Sequence, residues 1–481
     1  MNSSVAVLIV YLTVLIGIGF IAGRRVKSGA DYAIGGRNIP GWAAALSERA
    51  TDCSAWMLLG VPGSAYAFGM SSIWAAVGCL IGSAGAWWLV SNQLREQAAE
   101  IDALTYIDWI AKRHSSYAKG IRLFGSITIV FFFTLYISAQ LIGGGKTFFS
   151  LFGLNTTAGI FITTFVVVSY TLYGGFGSVV YTDCFQAIVL FSALLFGTVF
   201  GMYYLSSNPD VFASSIGAAW AKAGGGYSDL FGEAQGLGKG IVFGNGMAWM
   251  FAYLGGLPQL NTRFMCMKDE KAFHTGRVIS VSYIVFSYIF AIAVGFVGFA
   301  MFGPGVKDTE QIMPMVMKTL FHPAVATFFI TGGIAAMLST ADSLLALTSA
   351  ELSEDIVKPY FMHGQSLSPK SGLRVSRLIT IAVAGLGVIF AFILPRTLIF
   401  TIVSYVWAGL GSPFAVVTLL SIYWEKYTAK AALWTIIVGL FFTIFWIASG
   451  LDAKITSMLT GFVASLLTGV IVSLCTQPDK K

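Results

Sequence analysis

The stretch Ser47-Glu48-Arg49-Ala50-Thr51-Asp52-Cys53-Ser54-Ala55-Trp56 places three charged side chains inside an apolar segment, residues 41–70, that is long enough to cross a bilayer. Such side chains are costly in a continuous helix that faces lipid. Unwound backbone is tolerated where it lines a cavity, and its freed carbonyl oxygens can then bind an ion. The stretch therefore predicts a transmembrane helix that is interrupted near residues 50–54. A position closer to the membrane interface is the alternative.

The composition of the whole chain indicates a membrane protein with many spans. Of its 481 residues, 56% are hydrophobic and only 11% are charged, against about 25% charged in an average soluble domain. This balance excludes disorder and nucleic-acid binding. We expect one all-α transmembrane domain over residues 1–481, with the lipid bilayer as its surroundings and no soluble domain between spans.

Thirteen segments are apolar and long enough to span the hydrocarbon core. They lie near residues 4–23, 41–70, 73–94, 120–145, 156–174, 184–206, 237–262, 276–303, 316–350, 374–394, 398–422, 430–449 and 455–475. With these spans, twenty-one of the 29 Lys and Arg, Arg263 among them, fall in loops on one side of the membrane. Seven fall on the other side, and Arg49 lies within a span. Because positive loops stay in the cytoplasm, we expect the N-terminus outside and the C-terminus inside.

A second polar group lies in the span at residues 316–350. Ser339, Asp342 and Ser343 are spaced i, i+3 and i+4, so their oxygen atoms share one helix face. Oxygen ligands with one carboxylate suit a hard monovalent cation. Serine hydroxyls also bond back to their own helix or join neighbouring helices, so the pattern alone leaves both roles open.

A third group, Gly174-Gly175-Phe176-Gly177-Ser178-Val179-Val180-Tyr181-Thr182-Asp183-Cys184-Phe185-Gln186, is predicted to form a short turn between the fifth and sixth spans. Asp183 would then cap the start of the sixth span, where a carboxylate is electrostatically favoured.

The span at residues 237–262 resembles the first interrupted span in its design. Trp249 and Tyr253 present two large rings on one helix face, and Gly255, Gly256 and Pro258 weaken the helix just after them. This span opens a second set of five helices. Interrupted helices at matching positions of two halves are typical of a secondary transporter with inverted repeats.

The histidines point to sodium rather than proton coupling. All four are predicted to lie in loops or at span ends, which argues against a histidine proton relay: His114, His274, His322 and His363.

Two motifs resemble the signature segments of the sodium:solute symporter family: GGFGSVVYTDCFQAIVL (174–190) and AAMLSTADSLLALTSAELSED (335–355). The resemblance implies a LeuT-like fold and sodium-driven uptake by alternating access. It implies an extra N-terminal helix, two inverted five-helix repeats and two C-terminal helices, at residues 4–23, 41–206, 237–422 and 430–475. Within the family, three segments are similar to the bacterial sodium/proline symporters: residues 32–69, 131–148 and 247–256.

The resemblance also implies residues for each site. The sodium site would use the backbone carbonyls of Ala50, Cys53 and Ala336 with the hydroxyls of Ser339 and Thr340. A second sodium site, as in some family members, would use Asp183, Asp342 and Ser343. The substrate would contact Trp56, Tyr136, Trp249 and Tyr253, with Gln140 one turn after Tyr136. Arg37 and Asp52 match residues that are important for sodium coupling.

The chain departs from the proline symporters at two places. Glu48-Arg49 and Gln140 stand where those proteins have small residues. Glu48 and Arg49 would form a structural ion pair, or Arg49 would attract a substrate carboxylate.

We therefore expect a Na⁺-coupled importer of L-proline or a close analogue. The expected protein is not an enzyme, uses no cofactor besides the coupling ion, works as a monomer and lies in a bacterial inner membrane. The alternative substrate is another small amino acid or a monocarboxylate. A channel and a sensor are disfavoured, the sensor because the chain stops six residues after the last span.

Overall fold

A computed structural model describes residues 3–23, 34–362, 369–394 and 399–476. The described residues form twenty-one α-helices, with short 3₁₀ and π segments between some of them. In chain order they are α1 (Ser3–Gly23), α2 (Gly41–Ala55), α3 (Val61–Phe68), α4 (Ile73–Gly85), α5 (Ser91–Glu100), α6 (Tyr106–Arg113), α7 (Ala118–Phe152), α8 (Thr156–Ser207), α9 (Ile216–Ala223), α10 (Gly225–Ser228), α11 (Leu237–Met247), α12 (Trp249–Tyr253), α13 (Pro258–Met265), α14 (Glu270–Phe302), α15 (Ile312–Leu320), α16 (Pro323–Glu351), α17 (Pro369–Ile393), α18 (Ile399–Val406), α19 (Ser412–Tyr423), α20 (Ala429–Ala448) and α21 (Ser457–Cys475). The expected loop cations Arg24, Arg25, Lys27, Arg396, Lys480 and Lys481, and also His363, lie outside the described residues.

The described part of the chain has eleven helical stretches that are long and apolar enough to cross a membrane. One of them, Gly41–Glu100, has 60 residues and covers two of the predicted spans. The predicted span at 156–174 coincides with a shorter apolar stretch, Thr156–Ser169. The all-α, multi-pass architecture is therefore confirmed, whereas the count of thirteen spans stays a prediction.

The predicted turn before Asp183 is wrong, because α8 runs without a break from Thr156 to Ser207. Asp183 lies inside this helix, and the residue that caps its start is Asn155, whose side chain accepts a hydrogen bond from the Ala158 amide. Glycine is tolerated inside membrane helices, so the glycine cluster did not end this one.

Helix α8 packs against α16, where the hydroxyl of Ser339 donates a hydrogen bond to Asp183.

The predicted interruption of the first polar span is confirmed. Ser54 has a φ of 35° and a ψ of −158°, which no helix accommodates, and the chain continues as a π-helical segment, Trp56–Gly60. The second predicted weak point is also found. Helix α12 ends at Tyr253, and α13 begins at Pro258 after a non-helical link in which Gly255 has a φ of 79°. The bounds of the two repeats stay a prediction.

The second break is held in place by a close approach of two backbones. A Cβ atom added to Gly256 would lie 1.8 Å from the carbonyl oxygen of Gly411, in the π segment that joins α18 to α19. Only glycine fits at this crossing without moving one of the two chains.

We predict that Gly256→Ala destabilises the protein, because the added methyl group must push two backbones apart, at a cost of about 1–3 kcal/mol. The measurement is thermal unfolding of the detergent-purified protein. Gly385→Ala, where a Cβ meets nothing within 4 Å, is the matched control. Equal melting temperatures for the two variants would contradict the close approach.

Candidate functional site

The break in α2 lies beside a stack of aromatic rings. The rings of Trp56 and Trp249 stack at 4.6 Å with 19° between their planes. Phe400 of α18 contacts both of them, with ring centroids at 5.1 Å and 5.6 Å. The indole nitrogen of Trp56 donates a hydrogen bond to the hydroxyl of Tyr288 over 3.4 Å. Two of the predicted substrate residues are thus brought together, and Phe400 and Tyr288 join them.

Helix α7 holds the broken backbone with two side chains. The hydroxyls of Tyr136 and Ser54 are 2.8 Å apart, and Gln140 Oε1 accepts a hydrogen bond of 3.1 Å from the Ala55 amide. The other amide atom of Gln140, Nε2, is buried and has no partner among the described residues. Gln140 therefore binds the break with one end and leaves a donor unused at the other.

Trp407 completes this group of rings, and the sequence did not single it out. Its ring lies 4.9 Å from that of Tyr136, at 89°, and 6.0 Å from that of Tyr253. Its indole nitrogen is also buried without a partner in the described part of the chain. The available sequence signal was the run WAGLG, a tryptophan followed by small residues inside a span.

The charged residues of the first polar stretch pair with one another. Arg49 binds both carboxylate oxygens of Glu48 and lies 3.0 Å from Asp52 Oδ2. Asp52 Oδ1 accepts a hydrogen bond of 2.6 Å from Tyr253, and Glu48 accepts one of 2.6 Å from Ser280. The expected contact between Glu48 and Arg49 is present, although its role stays a prediction. With both carboxylates ionised, this fully buried group carries one excess negative charge.

Helix α16 meets the same break from the opposite side. Thr340 Oγ1 donates to the carbonyl of Thr51 over 3.2 Å and to the carbonyl of Ala336, one turn back, over 3.0 Å. Thr51 lies between the predicted ligands Ala50 and Cys53. The two halves of the predicted sodium site are thus in contact, and Thr340 both bonds back to its own helix and joins α2.

Arg263 corrects the sequence interpretation. It was expected among the loop cations, but it lies in α13 with a fully buried side chain. Its NH2 atom is 3.3 Å from Asp183 Oδ2, 2.7 Å from Ser343 Oγ and 2.9 Å from Thr51 Oγ1. Ser47 Oγ accepts from its Nε over 3.2 Å. Arg263 directly follows the predicted span at 237–262, and the packing of α13 against α2 buries it.

The other member of the predicted second sodium site, Asp342, stays apart from this ion pair. Its Oδ1 atom is buried and has no hydrogen-bond partner among the described residues. Asp183 and Ser343 are therefore brought together by Arg263, while Asp342 is not.

The side of the bundle that is predicted to be cytoplasmic is closed by further polar contacts. Arg37, in the 3₁₀ turn before α2, donates to the carbonyls of Ala98 and Ala103, where α5 ends and α6 approaches. Arg122 of α7 pairs with Asp108 and Asp355. Arg37 thus lies at the entry of the first broken span, and its role in coupling stays a prediction.

The opposite side is closed by an ion pair that holds the aromatic stack. Lys146 lies 2.6 Å from Glu310 and 3.2 Å from Asp308. Glu310, which is buried, accepts a hydrogen bond of 3.3 Å from the backbone amide of Phe400. The sequence offered no signal for this pair, because its members come from helices that are distant along the chain.

Comparisons with known proteins identify relatives of this chain. The model of the family described as "Sodium:solute symporter family" matches residues 32–439. The osmoregulated proline transporter OpuE of Bacillus subtilis (strain 168) is 34% identical over 461 residues, 94% of this chain and 91% of that protein. The high-affinity proline transporter PutP of the same strain is 34% identical over 450 residues, 92% of each. Sodium/proline symporter 2 of Staphylococcus saprophyticus is 32% identical over 450 residues, 92% of this chain and 85% of that protein.

Solved structures share the fold. A Na⁺-coupled sialic acid symporter, in a substrate-bound outward-open state, matches with a TM-score of 0.82 at 18% identity over 99% of both chains. Mhp1, a nucleobase-cation-symport-1 family transporter, matches in a closed conformation with a TM-score of 0.56 at 13% identity, over 93% of this chain and 94% of that one. The fold is therefore LeuT-like, as expected. Together with the match over residues 32–439, these relatives establish that the chain belongs to the sodium:solute symporter family.

Proposed function

We propose that this Na⁺-coupled solute symporter takes up L-proline, or a close analogue, by alternating access. Three of the relatives named above carry proline in their names, and each matches more than nine tenths of this chain. Membership of the family makes the chain a transporter rather than an enzyme.

The observation that carries the proposal is the stack of Trp56 and Trp249 beside the break in α2. L-Proline is a compact apolar ring that bears a secondary ammonium. Such a group packs on aromatic faces and gains a cation–π attraction there. Phe400 covers the same stack, so inserting the substrate would part these rings and release Phe400.

The carboxylate of the substrate needs hydrogen-bond donors. Gln140 Nε2 and Trp407 Nε1 are buried donors without partners among the described residues. A buried donor without an acceptor costs about 1–3 kcal/mol, and a substrate carboxylate between these two groups would remove that cost. Both donors lie near Tyr136: Gln140 is one turn further along α7, and the ring of Trp407 contacts the ring of Tyr136. The hydroxyl of Tyr136 is itself hydrogen-bonded to the hydroxyl of Ser54 at the break.

The coupling ion has an electrostatic reason to bind at the break. With both carboxylates ionised, Glu48, Arg49 and Asp52 leave one excess negative charge in a fully buried place. An uncompensated charge inside a membrane is costly. A sodium ion on the carbonyls of Ala50, Cys53 and Ala336 and the hydroxyls of Ser339 and Thr340 would balance it. Asp52 then acts through its field and through Tyr253, not as a direct ligand.

A second candidate substrate, another small amino acid or a monocarboxylate, is favoured by Gln140. By resemblance, the proline symporters have a small residue at this position. A longer side chain with a free amide donor narrows the pocket and favours a carboxylate, so a smaller substrate than proline would fit the same contacts.

Alternating access would use the two closures already described. Lys146 and Glu310 hold Phe400 over the aromatic stack on one side. Arg122 with its two aspartates closes the other. Opening either closure breaks buried or half-buried ion pairs. The binding of sodium and substrate in the core between the two closures would supply the free energy that this opening requires.

The orientation follows from the loop charges. We propose an N-terminus outside and a C-terminus in the cytoplasm of a bacterial inner membrane, with a monomer as the working unit. Arg263 no longer counts as a loop cation, but most of the remaining loop Lys and Arg still lie on one predicted side of the membrane.

Uptake of radiolabelled L-proline into proteoliposomes should require an inward sodium gradient. With choline in place of sodium, or with a pH gradient alone, uptake should fall to the level of empty vesicles. Unlabelled amino acids and monocarboxylates, added in excess, would rank the substrates. Proline uptake that persists without sodium would contradict the proposal, and competition only by another solute would select the second candidate.

Replacing a sodium ligand should weaken sodium binding more than substrate binding. In Ser339→Ala and Thr340→Ala, we expect the sodium concentration for half-maximal uptake to rise about tenfold or more, since a hydrogen bond or ligand to a charged group contributes about 1.5–3 kcal/mol. Thr348→Ala is the matched control, because Thr348 is buried in the same helix and its hydroxyl, within the described part of the chain, bonds only to the carbonyl of Leu344. An unchanged sodium dependence in both variants would remove them as ligands.

The role of the Gln140 Nε2 donor can be tested with a substitution that keeps the hydrogen bond between residue 140 and the Ala55 amide. Gln140→Glu keeps an oxygen for the Ala55 amide but replaces Nε2 with an oxygen that repels a carboxylate. We expect the KM for L-proline to rise at least tenfold. Gln186→Glu, at a buried glutamine of α8 whose side-chain amide has no partner among the described residues, controls for the cost of burying a carboxyl group. Equal KM values for wild type and Gln140→Glu would place the substrate carboxylate elsewhere.

A further inference from the structure

Two buried carboxyl groups, those of Glu351 and Asp355, lie at the end of α16 that is predicted to be cytoplasmic. Glu351 is the last residue of this helix, and Asp355 follows one turn later in its π-helical continuation, Leu352–Phe361. Their exposed fractions are 3% and 0%. The two carboxyl groups contact each other. Because two carboxylates in contact away from water repel each other strongly, such a pair holds one proton between its members.

Asp355 has the partners of an ionised carboxylate. Its Oδ1 atom binds Arg122 of α7, and its Oδ2 atom accepts a hydrogen bond of 2.6 Å from the hydroxyl of Thr105. The same hydroxyl accepts a hydrogen bond of 2.9 Å from the amide of Asp108 and so caps the start of α6. Asp355 therefore joins the ends of α6, α7 and α16 as an anion.

Glu351 lacks such partners. Its Oε2 atom is buried and has no hydrogen-bond partner among the described residues. The cations beside the pair are Arg122, which is shared between Asp355 and Asp108, and Lys112, which lies 2.9 Å from Asp108. These two cations balance the two aspartates, so an ionised Glu351 would add an uncompensated negative charge.

The other cations of this region bind elsewhere. Arg37 donates to backbone carbonyls between α5 and α6, and Arg377 of α17 donates to a backbone carbonyl of α8. Lys358, in the continuation of α16, pairs over 3.0 Å with Glu354, and both side chains are partly exposed. Because an uncompensated charge in a buried place is costly, Glu351 is accommodated in its neutral form.

We propose that Glu351 carries a proton, shared with Asp355, while the cytoplasmic side is closed, and that this proton leaves when that side opens. In the closed state, the O–H group of Glu351 donates to the carboxylate of Asp355, which keeps its ion pair with Arg122. Opening admits water, in which a glutamate ionises at neutral pH. The O–H bond then breaks, its electron pair stays on the oxygen of Glu351, and the proton passes to cytoplasmic water. This inference rests on the proposed function and adds a ligand, the proton, that regulates its cytoplasmic step.

The direction of the effect follows from the proton count. The closed state binds one proton more than the open state, so acid in the cytoplasm favours the closed state and alkali favours opening. For one proton, the ratio of the two states changes by up to about tenfold per pH unit. Release of substrate into the cytoplasm is therefore slowed when the cytoplasm becomes acidic.

Two other titratable groups beside α6 do not produce this effect. Burial lowers the pKa of His114 to about 4, so its ring is neutral at neutral pH, and its Nε2 atom lies 2.8 Å from the hydroxyl of Ser421. The hydroxyl of Tyr106 donates to the carbonyl of Phe414, and burial raises the pKa of this phenol further above neutral pH. Neither group changes its charge in the range between pH 6 and pH 8.

Right-side-out membrane vesicles give separate control of the pH on the cytoplasmic side. We expect the initial rate of sodium-driven uptake of radiolabelled L-proline, or of the solute that competition identifies, to rise about threefold or more as internal pH is raised from about 6 to about 8 at fixed external pH. A flat profile, or one that falls with internal pH, would overturn the inference and leave the proposed function intact. Uptake that never depends on sodium would overturn the proposed function instead.

Glu351→Gln removes the proton but keeps a donor for Asp355. The rate of this variant should not change with internal pH and should stay at or below the rate of the wild type at acidic internal pH. Glu354→Gln, the same substitution at the partly exposed glutamate three residues later, is the matched control and should keep the wild-type profile. A profile of Glu351→Gln as steep as that of the wild type would contradict the assignment to this residue.

Thermal unfolding of the detergent-purified protein detects the proton without substrate or sodium. Unfolding exposes Glu351 to water, so the wild type releases a proton that Glu351→Gln does not have. We expect the melting temperature of the wild type, relative to Glu351→Gln, to fall by about 1 °C or more per pH unit between pH 6 and pH 8. Relative to Glu354→Gln it should not fall, and a constant difference from Glu351→Gln would overturn the inference. If Glu351→Gln does not fold, the internal-pH profile of the wild type decides alone.

Discussion

Buried charge must be compensated within a few ångströms, and this constraint organises the centre of the molecule. Arg49 lies between Glu48 and Asp52, and Arg263 lies between Asp183 and the hydroxyls of α2 and α16. Both arginines are fully buried. The first group is local to α2, whereas Arg263 joins α13 to α2, α8 and α16, so the relative positions of these four helices depend on the second group.

The same constraint explains why the two broken helices lie where they do. The backbone at Ser54 leaves the helical conformation directly after the charged turn, and α7 supplies Tyr136 and Gln140 to the groups that the break exposes. The second break is fixed by the contact of Gly256 with the backbone at Gly411. Polar atoms freed by the breaks thus face protein and not lipid, as the bilayer requires.

The two clusters differ in charge and in the helices that they join. With both carboxylates ionised, the cluster of Glu48, Arg49 and Asp52 holds one excess negative charge within α2, whereas Asp183 and Arg263 form a pair that joins α8 to α13. Ser339 of α16 donates a hydrogen bond to Asp183 and so connects α16 to the same pair. The two closures, at Glu310 and at Arg122, stand at opposite ends of this core, so a change at the centre can be passed to either.

Local properties of the sequence are enough to predict the membrane-spanning all-α architecture, the two interrupted helices and the hydroxyl-bearing face of α16. Those properties are hydropathy, charges inside an apolar run, and helix-weakening Gly and Pro. They do not reveal that α8 continues through its glycines, because glycine permits both a turn and a helix. The burial of Arg263, and its bonds to Thr51, Asp183 and Ser343, appear only in the tertiary structure. Burial of α13 is the reason, since the free energy of a charge depends on the neighbours that packing brings to it, and those neighbours come from distant parts of the chain.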